Sequence, residues 1–118
     1  MKLSLTTTLL ALLGVSTALD TSYQCSNKAP SVINAIGKFC QKQNIVVPSP
    51  YATGGGNGFA EKSTHISIAG TCSPAQWIPQ EYCFSQFYQI CANGNEHGTG
   101  AKYYGRNGCQ RWLISNGE

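Results

Sequence analysis

Three of the chain's six cysteines fall between positions 72 and 91, in the stretch CSPAQWIPQEYCFSQFYQIC, and no other feature constrains the fold as strongly. Cys83, Phe84, Phe87, Ile90 and Cys91 recur at i, i+1, i+4, i+7 and i+8, an apolar stripe that predicts an amphipathic helix, while Ser85, Gln86 and Gln89 face away. Pro79 suits the first turn, where a missing N–H costs nothing, and Asn93-Gly94 supplies residues that tolerate a left-handed C-terminal cap. On such a helix Cys83 and Cys91 lie about 12 Å apart, beyond disulfide reach, so each must bridge to a different element.

All six cysteines, at 25, 40, 72, 83, 91 and 109, follow an N-terminal segment with the three regions of a secretory signal peptide. Met1-Lys2 opens onto the apolar run Leu3 to Val15 and ends in Ser16-Thr17-Ala18, which places cleavage after Ala18. The run is too short for a transmembrane helix, which needs about 20 apolar residues. The expected organisation is a signal peptide over 1–18 and one cysteine-rich domain over 19–118, secreted and extracellular. Six cysteines in that compartment imply three disulfides with connectivity left open, each contributing on the order of 3 kcal/mol by constraining the unfolded chain. One pairing is singled out: Cys72 with Cys109 would join the start of the central stretch to the final strand. Zinc is disfavoured, because the spacing contains no C-x2-C or C-x4-C pair.

Loss of Lys2 with the signal peptide lowers the formal charge from +3 to +2, and the remaining Lys and Arg are scattered. Nucleic acid and anionic membrane, which draw clustered basic residues, are therefore not expected as principal partners. Neither glycine run, 54–58 or 94–105, has the strand, motif and helix context of a phosphate cradle, so no cofactor is expected.

Along the chain, 19–28 reads as a polar lead-in pinned at Cys25. Pro30 to Lys42 reads as a helix whose stripe Val32, Ile33, Ile36, Phe39 and Cys40 repeats the later pattern, with Gly37 weakening it or allowing a close neighbour. Asn44 to Val47, stopped by Pro48 and Pro50, reads as an edge or terminal strand. Residues 54–58 read as a loop, and Thr64 to Ala69 as a half-buried strand with Ile66 and Ile68 on one face and His65 and Ser67 on the other. After the central helix come a glycine-rich loop and strands over 101–104 and 109–115, joined by the turn Gly105-Arg106-Asn107-Gly108. The element order predicts an α+β fold: a single small disulfide-stabilised domain with two helices packed on a roughly four-stranded antiparallel sheet. An internal duplication is only weakly suggested, by the repeated stripe.

Catalytic chemistry finds little support. Glu96-His97, and His65 near Glu61, could act as general base and acid, but loop Glu and His are ordinarily solvated surface groups. The chain has a single Asp, at position 20, and no G-x-S-x-G elbow.

The aromatic residues are more informative. Tyr103, Tyr104 and Trp112 cluster on the last hairpin beside Arg106, Gln110 and Arg111, a combination suited to stacking on sugar rings while polar groups meet the hydroxyls. Against this, Trp112 and one tyrosine could be core, since adjacent strand residues face opposite sides. The expected glycan contact surface is Tyr103, Tyr104 and Trp112 for stacking, with Glu96, His97 and Arg106 for hydrogen bonds. Trp77 and Tyr82, bracketing Pro79, are expected as core beneath a loop, and Tyr23, Tyr51, Phe59 and Tyr88 form no readable cluster.

The central stretch, followed by G-N-E-H-G-T-G, Y-Y-G and G-C-Q-R-W-L-I, resembles the small secreted fungal glycan-binding proteins of the Y-three type, lectins of inky-cap mushrooms. The first helix ending in F-C and the V-V-P-S-P-Y segment are similar too, so the resemblance covers most of residues 19–118. It implies a compact α+β domain with three disulfides that binds glycans or glycoproteins without hydrolysing them. Two other classes remain as alternatives: a killer-toxin-like secreted effector acting on a membrane protein, and a small metal-independent hydrolase requiring His97, Glu96, His65 and Arg106 to converge.

Overall fold

The computed structural model describes residues 21–49, 52, 59–61 and 64–116. The expected signal peptide, Leu19, Asp20, Tyr51 and the 54–58 loop lie outside the described residues.

Nine α-helices and β-strands follow one another along the described chain. They are helix α1 (21–28), α2 (Pro30–Phe39), strands β1 (Ile45–Val47), β2 (Phe59–Glu61), β3 (Thr64–Gly70) and β4 (Gln76–Ile78), helix α3 (Gln80–Asn93), and strands β5 (Gly100–Tyr104) and β6 (Gln110–Asn116). The fold class is the expected one: helices on an antiparallel sheet of four strands, ordered β2-β3-β6-β5, with β1 and β4 forming a separate antiparallel ribbon. Two strands, β2 and β4, are additions to those expected, and β1, expected among the four strands of the sheet, pairs instead with β4, Ile45 opposite Ile78 and Val47 opposite Gln76.

Register explains which sheet face is covered. Ile66 lies opposite Ile114 and Ile68 opposite Trp112, all four buried, so this face carries the core. Helix α2 lies over β2 and β3, and α3 over β5 and β6. The inward stripes are Val32, Ala35, Ile36 and Phe39 on α2 and Cys83, Phe87, Ile90 and Cys91 on α3, close to the predicted patterns. Each large apolar side chain in this layer contributes about 1.5–3 kcal/mol on leaving water. Gly37, by contrast, admits no close neighbour: a Cβ there would meet nothing within 4 Å.

Three bridges are present, with no free cysteine among the described residues: Cys25–Cys91 ties α1 to α3, Cys40–Cys83 ties the end of α2 to α3, and Cys72–Cys109 ties the segment after β3 to the start of β6. The expected Cys72–Cys109 pair is present, and Cys83 and Cys91 join different elements. The bridged residues are separated by 66, 43 and 37 positions. At such loop lengths each bridge restricts the unfolded chain by about 4 kcal/mol.

Two local expectations are corrected. The lead-in forms a two-turn helix, α1, held by Cys25 and ending at Ala29, whose φ of −150° breaks it from α2. Gly94 is not a left-handed cap; its backbone is extended, with φ −80° and ψ −163°. Glycine is needed there for space, since a Cβ would collide with the Thr99 carbonyl. The open carbonyls of α3 are taken by a lysine: Lys28 Nζ donates to Ala92 O at 2.7 Å, Cys91 O at 3.2 Å and Gly94 O at 3.3 Å. A cation at this end also complements the helix dipole. Among the described residues no helix is long and apolar enough to cross a membrane.

Candidate functional site

A concavity lies where the ribbon, the first turns of α3 and the far end of the β5–β6 hairpin meet. It encloses about 500 Å³. Its walls are Trp77 from β4, Tyr82 and Gln86 from α3, and Tyr104 from β5, with Gln76, Gln110 and Trp112 beneath. None of the lining residues is Asp, Glu, His, Lys or Arg.

Pairing and helical spacing place these side chains. Because Ile78 and Gln76 turn inward with buried Ile45 and Val47, Trp77 must point outward opposite Val46, and it is 61% exposed. Tyr82 precedes Cys83, so it falls off the buried stripe and is 51% exposed, with Gln86 one turn further along the same flank. Both aromatics were expected in the core. The sequence signals that could have located them are a Gln-Trp-Ile alternation stopped by Pro79, and an aromatic displaced from its helix stripe.

Trp112 has the opposite fate. It is fully buried, 0% exposed, packed against Phe87 at 4.7 Å and Tyr104 at 5.1 Å between ring centroids. With Phe39 at 5.6 Å from Phe87, an aromatic run extends from the core to the cleft. Trp112 therefore supports the site as its floor and offers no stacking surface, a correction to its expected role. Its register opposite Ile68 on the helix-covered face is the reason.

The indole also sets the polarity of the site. Trp112 Nε1, which can only donate, bonds Gln110 Oε1 at 2.8 Å. The other end of that amide must then be NH2, and Gln110 Nε2 donates to Gln76 Oε1 at 2.9 Å. The Gln76 oxygen also receives the Arg106 backbone N–H at 3.4 Å, and the Cys72–Cys109 sulfurs lie against it at 3.5 and 3.3 Å. One orientation of each glutamine is thereby fixed. The Gln76 amino group, which no group among the described residues accepts, is left as a donor. Gly105 makes room for this relay: its φ is +83°, and a Cβ would stand 2.6 Å from Gln76 Oε1 and 2.8 Å from Gln110 Nε2.

Tyr104 brings the other unspent group. Its hydroxyl is buried and has no hydrogen-bond partner among the described residues, and burial pushes its pKa above the ordinary tyrosine value.

The remaining predicted contacts are dispersed. Tyr103, opposite Arg111, points from the uncovered face of the sheet and is exposed. Glu96 and His97 are solvent-exposed and 3.4 Å from each other, in a loop built on Asn95 Oδ1, which accepts the backbone N–H groups of His97 and Thr99. That loop enters β5 at Gly100, roughly 13 Å along the strand from Tyr104. Arg106 stands beside the cleft in a smaller recess with Ser73 and Asn107.

The hydrolase constellation is not assembled. His65 pairs with Ser115, five residues along β6 from Gln110 and so roughly 17 Å from the turn carrying Arg106. Among the described residues no three His, Cys, Asp or Glu side chains lie close enough to hold a metal ion.

No protein-family model matches this chain, and no curated protein or solved structure shows significant similarity to it. The resemblance to Y-three-type proteins thus rests on the quoted motifs alone.

Proposed function

We propose that this is a secreted carbohydrate-binding protein that holds an uncharged sugar ring in the cleft of Trp77, Tyr82 and Tyr104 and does not hydrolyse it. The observation that carries the reading is the pairing of exposed rings with an amide of fixed orientation. Trp77 and Tyr82 offer apolar faces, which suit the C–H face of a pyranose. The Gln76 amino group and the Tyr104 hydroxyl, each without a partner among the described residues, suit its hydroxyl oxygens. Glycoside hydrolysis ordinarily needs two carboxyl groups about the bond, and among the described residues none lines the cleft. Secretion is supported by the N-terminal pattern and by three disulfides, which persist in oxidising compartments.

A glycan array probed with the oxidised protein tests the proposal. The expected result is saturable binding to a restricted set of glycans, competed by the free sugar, with the oligosaccharides recovered intact. Absence of binding across the array, with the three bridges verified by mass spectrometry, would overturn it. Attachment to cells that survives complete deglycosylation would favour a protein target of the toxin-like kind instead.

A further inference from the structure

The aromatic cleft does not end at Gln76. The same side chain forms a wall of the second recess, about 290 Å³, lined by Thr71, Ser73, Pro74, Arg106 and Asn107. Alone it falls at the bottom of the range for small-ligand sites, about 300–1,000 Å³, whereas the aromatic cleft lies well within it. The smaller recess is therefore an annex of the larger. Its chemistry differs: hydroxyls, an amide and a single charged group, the Arg106 guanidinium, replace the aromatic rings.

Arg106 is held for this position. Its backbone N–H donates to Gln76 Oε1 at 3.4 Å and its carbonyl accepts from Cys109 N at 3.1 Å. The turn closes through Asn107 and Gly108 at φ +54° and +70°, and Cys109 is bridged. The side chain, by contrast, has no ion-pair partner among the described residues. Among the described residues, no acidic side chain lines either recess.

We infer that the two recesses are one extended site for an acidic oligosaccharide, with a carboxylate or sulfate ester on the sugar next to the stacked ring paired to Arg106. Arginine's planar fork matches both groups. Gln76 stands between the two subsites with its amino group available to the oxygens linking them. The inference rests on the glycan reading above, and the following experiment separates the failure of one from the failure of the other.

Matched oligosaccharides with a common core, in neutral, sulfated and uronic- or sialic-acid-bearing forms, are titrated against the wild-type protein, Arg106→Gln and Arg111→Gln. The wild type should prefer one acidic form over its neutral parent by about tenfold or more at low salt, less as ionic strength rises. Arg106→Gln should abolish that preference. Arg111→Gln, which removes the same charge from the uncovered face of the sheet, should keep it. The sulfated and carboxylated arms tell which acid is recognised. Equal binding of neutral and acidic forms, or equal loss in both arginine variants, would overturn the inference while leaving glycan binding intact. Failure of all forms to bind would overturn both.

Discussion

The buried indole N–H of Trp112 donates to Gln110 Oε1 at 2.8 Å, and this one bond orients two glutamine amides in succession. Two substitutions divide its consequences. Gln110→Leu strands the indole donor in the interior and should cost about 1–3 kcal/mol in chemical denaturation. Gln76→Glu keeps an oxygen for Gln110 Nε2 but replaces the free amino group with an acceptor. It should hold most of the stability while weakening binding of a neutral glycan by about tenfold. Equal glycan affinity in Gln76→Glu and wild type would show that the donor is not used.

Tyr104→Phe removes a buried hydroxyl that has no partner among the described residues, so it should leave the melting temperature unchanged or higher while lowering glycan affinity. The pH dependence follows from the same burial. Desolvation is the main cause raising the pKa of both Tyr104 and Tyr88 above 10.0. The folded state thus favours the protonated phenols. Their contribution to stability is complete below the unfolded value and is lost as pH rises through the higher folded values. Absorbance titration should show late-ionising tyrosines, one fewer in Tyr104→Phe.

Lys28→Met tests the lysine that closes α3. Three carbonyls lose a charged donor, and the variant should be less stable by about 1–3 kcal/mol, with the bridge pattern unaltered. Hydrogen exchange should locate the loss at the end of α3 and in the 94–99 loop. A melting temperature equal to wild type would show that water serves those carbonyls equally well.

Much of this fold was legible because its core obeys two periodicities. The stripes through Val32, Ile36 and Phe39 and through Cys83, Phe87 and Ile90 announce helices, and the alternation around Ile66 and Ile68 announces a strand. What was hidden depends on contacts distant in sequence. Helix α1 has a single buried anchor, Cys25, along residues 21–28, and short helices of that kind are stabilised by tertiary ties rather than by their own pattern. The cleft was hidden for a similar reason. Tyr104 was among the residues named from the sequence, and Trp77 and Tyr82 become its neighbours only once β4 pairs with β1 and α3 crosses the hairpin. An expected grouping by sequence proximity put Glu96 and His97 with Arg106, whereas β5 carries them to opposite ends of the sheet.

Gly37→Ala checks the packing of α2 in the opposite direction. With open space around the site, alanine should stabilise the protein by about 0.5–1 kcal/mol through its better helix propensity. A loss of stability would mean that a neighbour approaches this face of the helix.

The chain has two tryptophans, one exposed in the cleft and one buried beneath it, which makes fluorescence a direct reporter of the central claim. Acrylamide quenching of the oxidised protein should act mainly on Trp77. Saturation with a glycan identified on the array should shield that residue and shift its emission to the blue, and Trp77→Phe should lack the response. Saturating glycan that leaves Trp77 as accessible to acrylamide as in the free protein would contradict the account and place the binding site elsewhere.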